Sequence, residues 1–300
     1  MKYWEIERGG KIMGLRIASM YLLEYAKRKY NTDYSETLSL GRQFVAFTNS
    51  ELKKFQKAIG VYSKDNSKYF ESPFAEKIFQ DLYGQPIHSM DAFNYENAEI
   101  IHDMNKPVPK EFKNKYTCII DGGTTEHVFN YFQAIKNCMD MLKIGGHFIS
   151  MVPTNNFNGH GLYQFSPELF YSLFTEENGF KIEDVFIVKF TATNKLWRIS
   201  KTPQEAGERL QYNTNTPTEI FVVAKKIGER NEELSVQQID YAMDWYNEEN
   251  KENKKSSRDS LTGKIPRKLL FNVGQFIFHP LNKNKYTQKM DIFRILKKQI

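Results

Sequence analysis

Asp91, Asp103 and Asp121 each close a short apolar run, and Gly41 closes a fourth such run at SLGRQ. In an open α/β sheet, ligands bind beyond the carboxyl ends of the strands, near the point where strand order reverses. An acid after the second strand suits a ribose, because one carboxylate can accept from both hydroxyls of the diol. Glycine at the first strand end lets a ligand approach the backbone closely. Asp also favours turns, so a plain turn role stands beside the ligand role for all three aspartates. Two histidines follow later strand ends. His127 comes directly after Glu126 beyond the fourth strand, and His160 lies in NFNGHGLYQ, a polar, glycine-flanked loop beyond the fifth. Histidine is the natural general base near neutral pH. His160 has the base role or that of a loop histidine bonding backbone, and for His127 a ligand-side or structural role is favoured. Asn155, Asn156 and Tyr163 are candidates for positioning an acceptor.

No set of His, Cys, Asp and Glu has metal-ligand spacing, so no structural metal is expected. A divalent ion arriving with substrate stays open at His127. Gly9-Gly10-Lys11 lacks the rest of a phosphate loop and reads as a turn.

The elements that must hold these residues alternate. Apolar positions over 11–28 form a helical stripe. A short strand then ends at Gly41, a helical stretch ends near Gly60, and an inserted helical segment over 61–85 closes at Gly84. QPIHSMD, AEIIHDM, YTCIID and HFISMVP read as further strands. Between the last two, Phe129, Phe132, Ile135, Met139 and Leu142 mark one helix face, with Gly145-Gly146 expected to cap it. FSPELFYSLF reads as a helix with Ser166 as N-cap and Pro167 in the first turn. DVFIVKF and EIFVVAKK are expected to pair antiparallel at one edge, joined by a loop-like polar stretch over 191–218. Nearly continuous apolar strands alternating with helices predict a parallel sheet covered on both faces.

Taken together, SLGRQ, SMDAFNYENAEIIHDMNKPVP, IIDGGTTEHVFN and PTNNFNGHGLYQFSPELFY resemble the class I S-adenosylmethionine-dependent methyltransferases. The likeness is to a bacterial subgroup found with surface-polysaccharide genes, and it covers about residues 35–226. It implies an α/β fold: a seven-stranded, doubly wound, Rossmann-like sheet with a helical insertion and a C-terminal extension. It also implies four regions: an N-terminal helical cap (1–34), the methyltransferase domain (35–226), a helix and charged linker (227–260) and a basic extension (261–300). Asp91 and Ala92 would hold the cofactor ribose, and Asp103 and Met104 would border the adenine. Asp121, Gly122, Gly123 and Glu126 through His127 would line the methionyl end. Arg42 or Gln43 would bond the methionine carboxylate. The first loop departs from acid-x-Gly-x-Gly-x-Gly, since Ser39 and Gln43 replace the acid and the second glycine. The implied activity is O-methylation of a sugar or sugar-like intermediate of capsular or lipopolysaccharide glycan.

Other readings compete. A nicotinamide dehydrogenase needs G-x-G-x-x-G and an acid about 20 residues on, whereas Asp91 lies 50 positions beyond Gly41. An amino-methylating nucleic-acid enzyme of the same group would carry Asp/Asn-Pro-Pro after the fourth strand, where this chain reads DGGTTEH. A non-catalytic, methyltransferase-like scaffold draws support from the degenerate Gly41 loop, and a methyltransferase of another small acceptor also stays open.

The 300-residue chain has a net charge of +6, with 40% hydrophobic and 26% charged residues, an ordinary globular composition. Residues 251–300 hold 13 Lys/Arg against 3 Asp/Glu, so the first 250 are net acidic. A uniformly basic nucleic-acid module is thereby excluded, and the partner expected is a small-molecule or glycan acceptor. Arg267, Lys268, Lys297 and Lys298 either draw the chain to an anionic surface or merely solvate a docked appendage. Two cysteines in apolar settings, no membrane-length apolar run and no leader-like N-terminus read as a soluble, cytoplasmic protein.

Overall fold

The computed structural model describes residues 14–191, 195–199, 201–206, 210, 212–242, 245 and 286–298. The 247–260 linker, Gly9-Gly10-Lys11, Arg267 and Lys268 lie outside the described residues. Strands are β1 (Leu15–Arg16), β2 (Thr37–Leu40), β3 (Val45–Ala46), β4 (Ile87–Asp91), β5 (Ile100–Ile101) and β6 (Tyr116–Asp121). They continue as β7 (Leu142–Asn155), β8 (Phe180–Lys189), β9 (Lys195–Ile199), β10 (Thr218–Lys226) and β11 (Thr287–Asp291). Helices are α1 (Ile17–Tyr30), α2 (Asn49–Ile59), α3 (Glu76–Tyr83), α4 (Tyr131–Met141), α5 (Pro167–Leu173), α6 (Pro203–Ala206) and α7 (Ile292–Lys297).

The main sheet has the order β5-β4-β2-β6-β7-β10-β8-β9-β11, and β1 and β3 form a separate parallel pair. Strands β5, β4, β2, β6 and β7 run parallel. β10 is antiparallel to β7 and to β8. From β2 the chain fills one side with β4 and β5, then returns to fill the other with β6 and β7. The reversal falls between β2 and β6, where a ligand crevice is expected.

Among the described residues the main sheet has nine strands where seven were expected, because two short segments in polar surroundings add backbone ladders at its edge. The supposed connection over 191–218 contains β9, whose Leu196, Trp197 and Ile199 are buried. The end of the basic extension adds β11 beside β9, and Ile292 and Leu296 of α7 are fully buried. The β8–β10 pair is antiparallel as expected, but β9 and β11 cover its outer side. Exposed Lys297 and Lys298 lie at the end of α7. No helix among the described residues is long and apolar enough to cross a membrane.

A second difference concerns α4, which ends at Met141, and Gly145-Gly146 lie inside β7. Neither caps the helix: Gly145 takes the left-handed region at φ 89, and Gly146 allows close strand approach, since a Cβ there would stand 2.8 Å from the Thr117 carbonyl. Phe129 precedes the helix and is 78% exposed, while Ala134, Ile135, Cys138, Met139 and Met141 form its buried face. Other ends follow sequence chemistry. Thr48 and Glu51 make a capping box on α2, Gly60 closes it in the left-handed region, and Ser166 caps α5.

Alternate side chains of the central strands feed two cores. Cys118, Ile120, Ile149, Met151, Phe221 and Val223 pack with α1, α2, α3 and α7. Ile119, Phe148, Val152, Ile220 and Val222 pack with α4 and α5 on the other face. Helix α1 is fastened to the sheet at both ends. Arg16 forms a buried ion pair with Glu219 and donates to the Phe190 carbonyl. Buried Asp184 of β8 takes Tyr25, Tyr30, Lys29 and Arg198.

His147 of β7 is buried with both ring nitrogens unpartnered, and burial lowers its pKa to about 4. The unfolded chain titrates near the ordinary value of about 6.5. The unfolded state therefore binds the proton first, and His147's contribution to stability, whole above about pH 6.5, is lost as pH falls towards 4. The shift corresponds to about 3 kcal/mol. Urea denaturation across this range should show that loss, and His147→Leu should flatten the profile.

Candidate functional site

The reversal point gathers most of the residues singled out above. Gly41 follows β2 with φ 68, and its N–H donates to the Met90 carbonyl at 2.7 Å. A Cβ there would meet Thr124 Oγ1 at 2.8 Å and Asp91 Oδ2 at 3.9 Å, so glycine keeps the space between β2, β4 and the loop after β6 open. Asp91 ends β4 half-buried, and its Oδ1 accepts a 3.4 Å bond from Phe93 N. Ala92 is half-buried beside it, while Phe93 is exposed. Ser39, standing where an acid was looked for, donates to the Gly41 carbonyl.

Arg42 and Gln43 turn in different directions. Arg42 pairs with Glu76, donates to the Glu96 carbonyl at 2.7 Å and lies 3.8 Å over the Phe74 ring. Its fork is thus engaged by α3 and the segment after β4. Gln43 is buried: Nε2 donates to the Leu40 carbonyl at 2.8 Å, and Oε1 has no hydrogen-bond partner among the described residues. The Gln43 amide fills the space in front of Gly122, where a Cβ would stand 2.7 Å from Gln43 Cδ. Burial and the neighbouring Asp91 push the Glu96 carboxyl above its usual range, with Arg42 opposing.

Asp121 ends β6 fully buried. It accepts from Thr124 N (3.0 Å), Thr125 N (3.3 Å), Thr125 Oγ1 (2.5 Å) and Ser150 Oγ (3.2 Å). Burial raises its pKa, and these donors oppose the rise. Its work is internal: it shapes the loop that carries Gly122, Gly123 and Glu126. Asp103 also serves a turn, accepting from Asn105 N and Nδ2 at 3.0 and 2.8 Å. Met104 is buried in the α4-side core, with its sulfur 3.8 Å from Asn137 Nδ2.

The loop after β7 returns to the loop after β6. Leu162 N and Tyr163 N donate to the Glu126 carbonyl at 2.8 and 3.2 Å. A Cβ on Gly161, at φ 69, would stand 2.9 Å from Glu126 Cγ. His160 Nε2 thereby reaches Glu126 Oε1 at 3.3 Å, and His127 Nε2 lies 3.8 Å from the same oxygen. The Glu126 side chain is fully buried, and its Oε2 has no hydrogen-bond partner among the described residues. Burial raises the Glu126 pKa, and the His160 hydrogen bond opposes it. Tyr163 OH donates to the Phe129 carbonyl at 2.6 Å, setting exposed Phe129 beside the cluster. Asn155 and Asn156 are not in it, since both amides bond the 214–216 segment.

Sequence reasoning named both histidines and Glu126 but not the buried carboxylate–imidazole pair, because 34 positions separate Glu126 from His160. The signal was the glycine beside His160. Thr124, which donates to the Leu40 carbonyl at 2.7 Å, was also missed. A cavity of about 540 Å³ between α5, β8 and β9 contains none of the candidate residues.

No family profile matches the sequence, and no curated protein does. Among solved structures, the chain is similar to the MccD protein at 10% identity and TM-score 0.42, over 71% of this chain and 99% of that one. It is similar to a SAM-dependent methyltransferase of Archaeoglobus fulgidus at 14% identity and TM-score 0.37, over 68% and 93% of the two chains. A third is the 1,6-didemethyltoxoflavin-N1-methyltransferase of Burkholderia thailandensis, solved with S-adenosylhomocysteine, at 11% identity and TM-score 0.36, over 71% and 78%.

Gly41→Ala tests the strand-end geometry. It forces an L side chain into the left-handed region against Thr124, and should cost about 1–2 kcal/mol in urea denaturation.

Proposed function

We propose that this chain is an S-adenosylmethionine-dependent O-methyltransferase acting on a sugar or sugar-like intermediate of cell-surface glycan. The observation that carries the reading is one juxtaposition at the strand-order reversal. Gly41 leaves the β2 end open towards the Asp91 carboxylate, and a histidine–carboxylate cluster stands two residues beyond Thr124. The likeness of SLGRQ, IIDGGTTEHVFN and PTNNFNGHGLYQFSPELFY to the polysaccharide-associated subgroup supports the cofactor and the acceptor class.

The residues present fit such a cofactor. Asp91 is placed to accept from a ribose diol. The orphaned Oε1 of Gln43 is an acceptor suited to the methionyl ammonium. Arg42, engaged by Glu76, is the weaker of the two candidates for the methionyl end. S-adenosylmethionine, when bound, supplies a methyl group already activated on a sulfonium. The chain's tasks are then to hold an acceptor oxygen in line and to relieve it of its proton. The Glu126–His160 pair is the group for the second task, and exposed Phe129 offers an apolar face to a sugar ring. Carbon–oxygen bond formation, carbon–sulfur cleavage and loss of the hydroxyl proton then balance.

Calorimetric titration of the full chain should show one saturable site for S-adenosylmethionine. Asp91→Ala should weaken it by at least about tenfold, or 1.4 kcal/mol. Absence of saturable binding would instead support a non-catalytic scaffold. With sugar-nucleotide acceptors followed by mass spectrometry, His160→Ala should lower turnover about a hundred- to ten-thousandfold while leaving cofactor affinity unchanged.

A further inference from the structure

We infer that Glu126, His127 and His160 form a binding site for one divalent transition-metal ion, with zinc or manganese the fitting class. Their ligand atoms lie within 4.8 Å of one another, the only such His/Cys/Asp/Glu group among the described residues. Two imidazole nitrogens and one carboxylate oxygen suit borderline transition metals better than calcium or magnesium, which prefer oxygen alone. Ligand atoms about 2.0–2.2 Å from a tetrahedral zinc stand about 3.3–3.6 Å apart. His160 Nε2 is 3.3 Å from Glu126 Oε1, and His127 Nε2 is 3.8 Å from it. The two rings stand 4.9 Å apart at 74°, so both nitrogens reach the carboxylate without ring clash.

A second observation points to a cation independently of this spacing. The Glu126 side chain is fully buried and its Oε2 has no hydrogen-bond partner among the described residues. A buried carboxylate is costly unless a charge or several donors meet it. The surroundings are also held in place. The Glu126 carbonyl takes two N–H groups from the His160 loop, and only glycine fits at 161 against the Glu126 side chain. His127 is half-exposed and His160 one-fifth exposed, which leaves the solvent side open. Three protein ligands with an open position is the pattern of a site that takes substrate or water. We assign that position to the acceptor oxygen, where a bound ion would ease loss of its proton in place of His160 acting alone as base, a clause that rests on the methyl-transfer reading. The metal site itself does not.

The test uses the full-length, untagged chain after chelator treatment. Zinc and manganese are titrated by calorimetry, and cobalt by its visible absorption, which reports imidazole and carboxylate ligation. One equivalent per chain is expected. His127→Ala, at an exposed position, should weaken binding at least about tenfold, and the His127→Ala/His160→Ala double variant should abolish it, with circular dichroism confirming the fold. No saturable binding of either metal, or one equivalent retained in the double variant, overturns the inference. Titration of the same metal-free chain with S-adenosylmethionine separates the two readings. A chain that binds metal but not cofactor sinks the methyl-transfer reading and leaves the metal site standing, and the converse sinks the metal site alone.

Discussion

A carboxylate buried at the end of a central strand has to be met on both oxygens, and the rest of the site hangs on how Asp121 is met. Two backbone N–H groups and the Thr125 hydroxyl come from its own loop, and the Ser150 hydroxyl comes from the neighbouring strand. Curling the chain to deliver those donors puts Thr124 over the end of β2, where its hydroxyl reaches the Leu40 carbonyl. The same turn drives the Glu126 side chain inward and leaves His127 facing out. A hydrophobic residue at 121 would pack as well, but would not curl the loop. The buried acid is thus an organiser of the site from beneath its surface.

The other half of the site is organised by aromatic contacts that begin at the N-terminal helix. Arg16 lies 4.4 Å over the Phe190 ring and pairs with Glu219 at the start of β10. Phe190 meets Phe157 edge-on, and Phe157 meets the His160 ring. The start of α1 therefore braces the loop that carries His160, through strands that lie beyond the reversal point. A helix outside the stretch that resembles a known family thus becomes part of the support for the His160 loop. This favours treating residues 14–30 and the core as one packed unit.

How much was legible in the sequence follows from range. Strands such as YTCIID and the helix capped by Ser166 carry their own local signals, and both stand where those signals put them. KLWRI and TQKMD do not: each is five residues long in polar surroundings, and the ladder between them joins segments about 90 positions apart, so β9 and β11 stayed hidden. Gly145-Gly146 misled for a related reason. A glycine that ends a helix and one that admits a neighbouring strand look alike until the partner, here Thr117, is known. Within the site, strand-end positions were readable from alternation alone. Side-chain satisfaction was not, which is why both Asp91 and Asp121 stood as ligand candidates although one accepts a single weak bond and the other four donors.

The departure at Gln43 can be understood in the same terms. A glycine-rich first loop keeps space for a ligand by having no side chains, whereas Gln43 puts an amide into that space. The amide is anchored on the Leu40 carbonyl, so it cannot swing away without losing a buried bond. Its bulk then moves the need for glycine across the crevice, because any side chain at 122 would collide with it. Two loops that could have been independent become complementary, one filling what the other leaves empty. What the amide adds in exchange is an oriented acceptor, Oε1, with no partner among the described residues. A buried acceptor left over in this way calls for a donor that no described residue supplies, so the departure from glycine at 43 leaves an open hydrogen-bonding demand at the crevice rather than a sealed, satisfied loop.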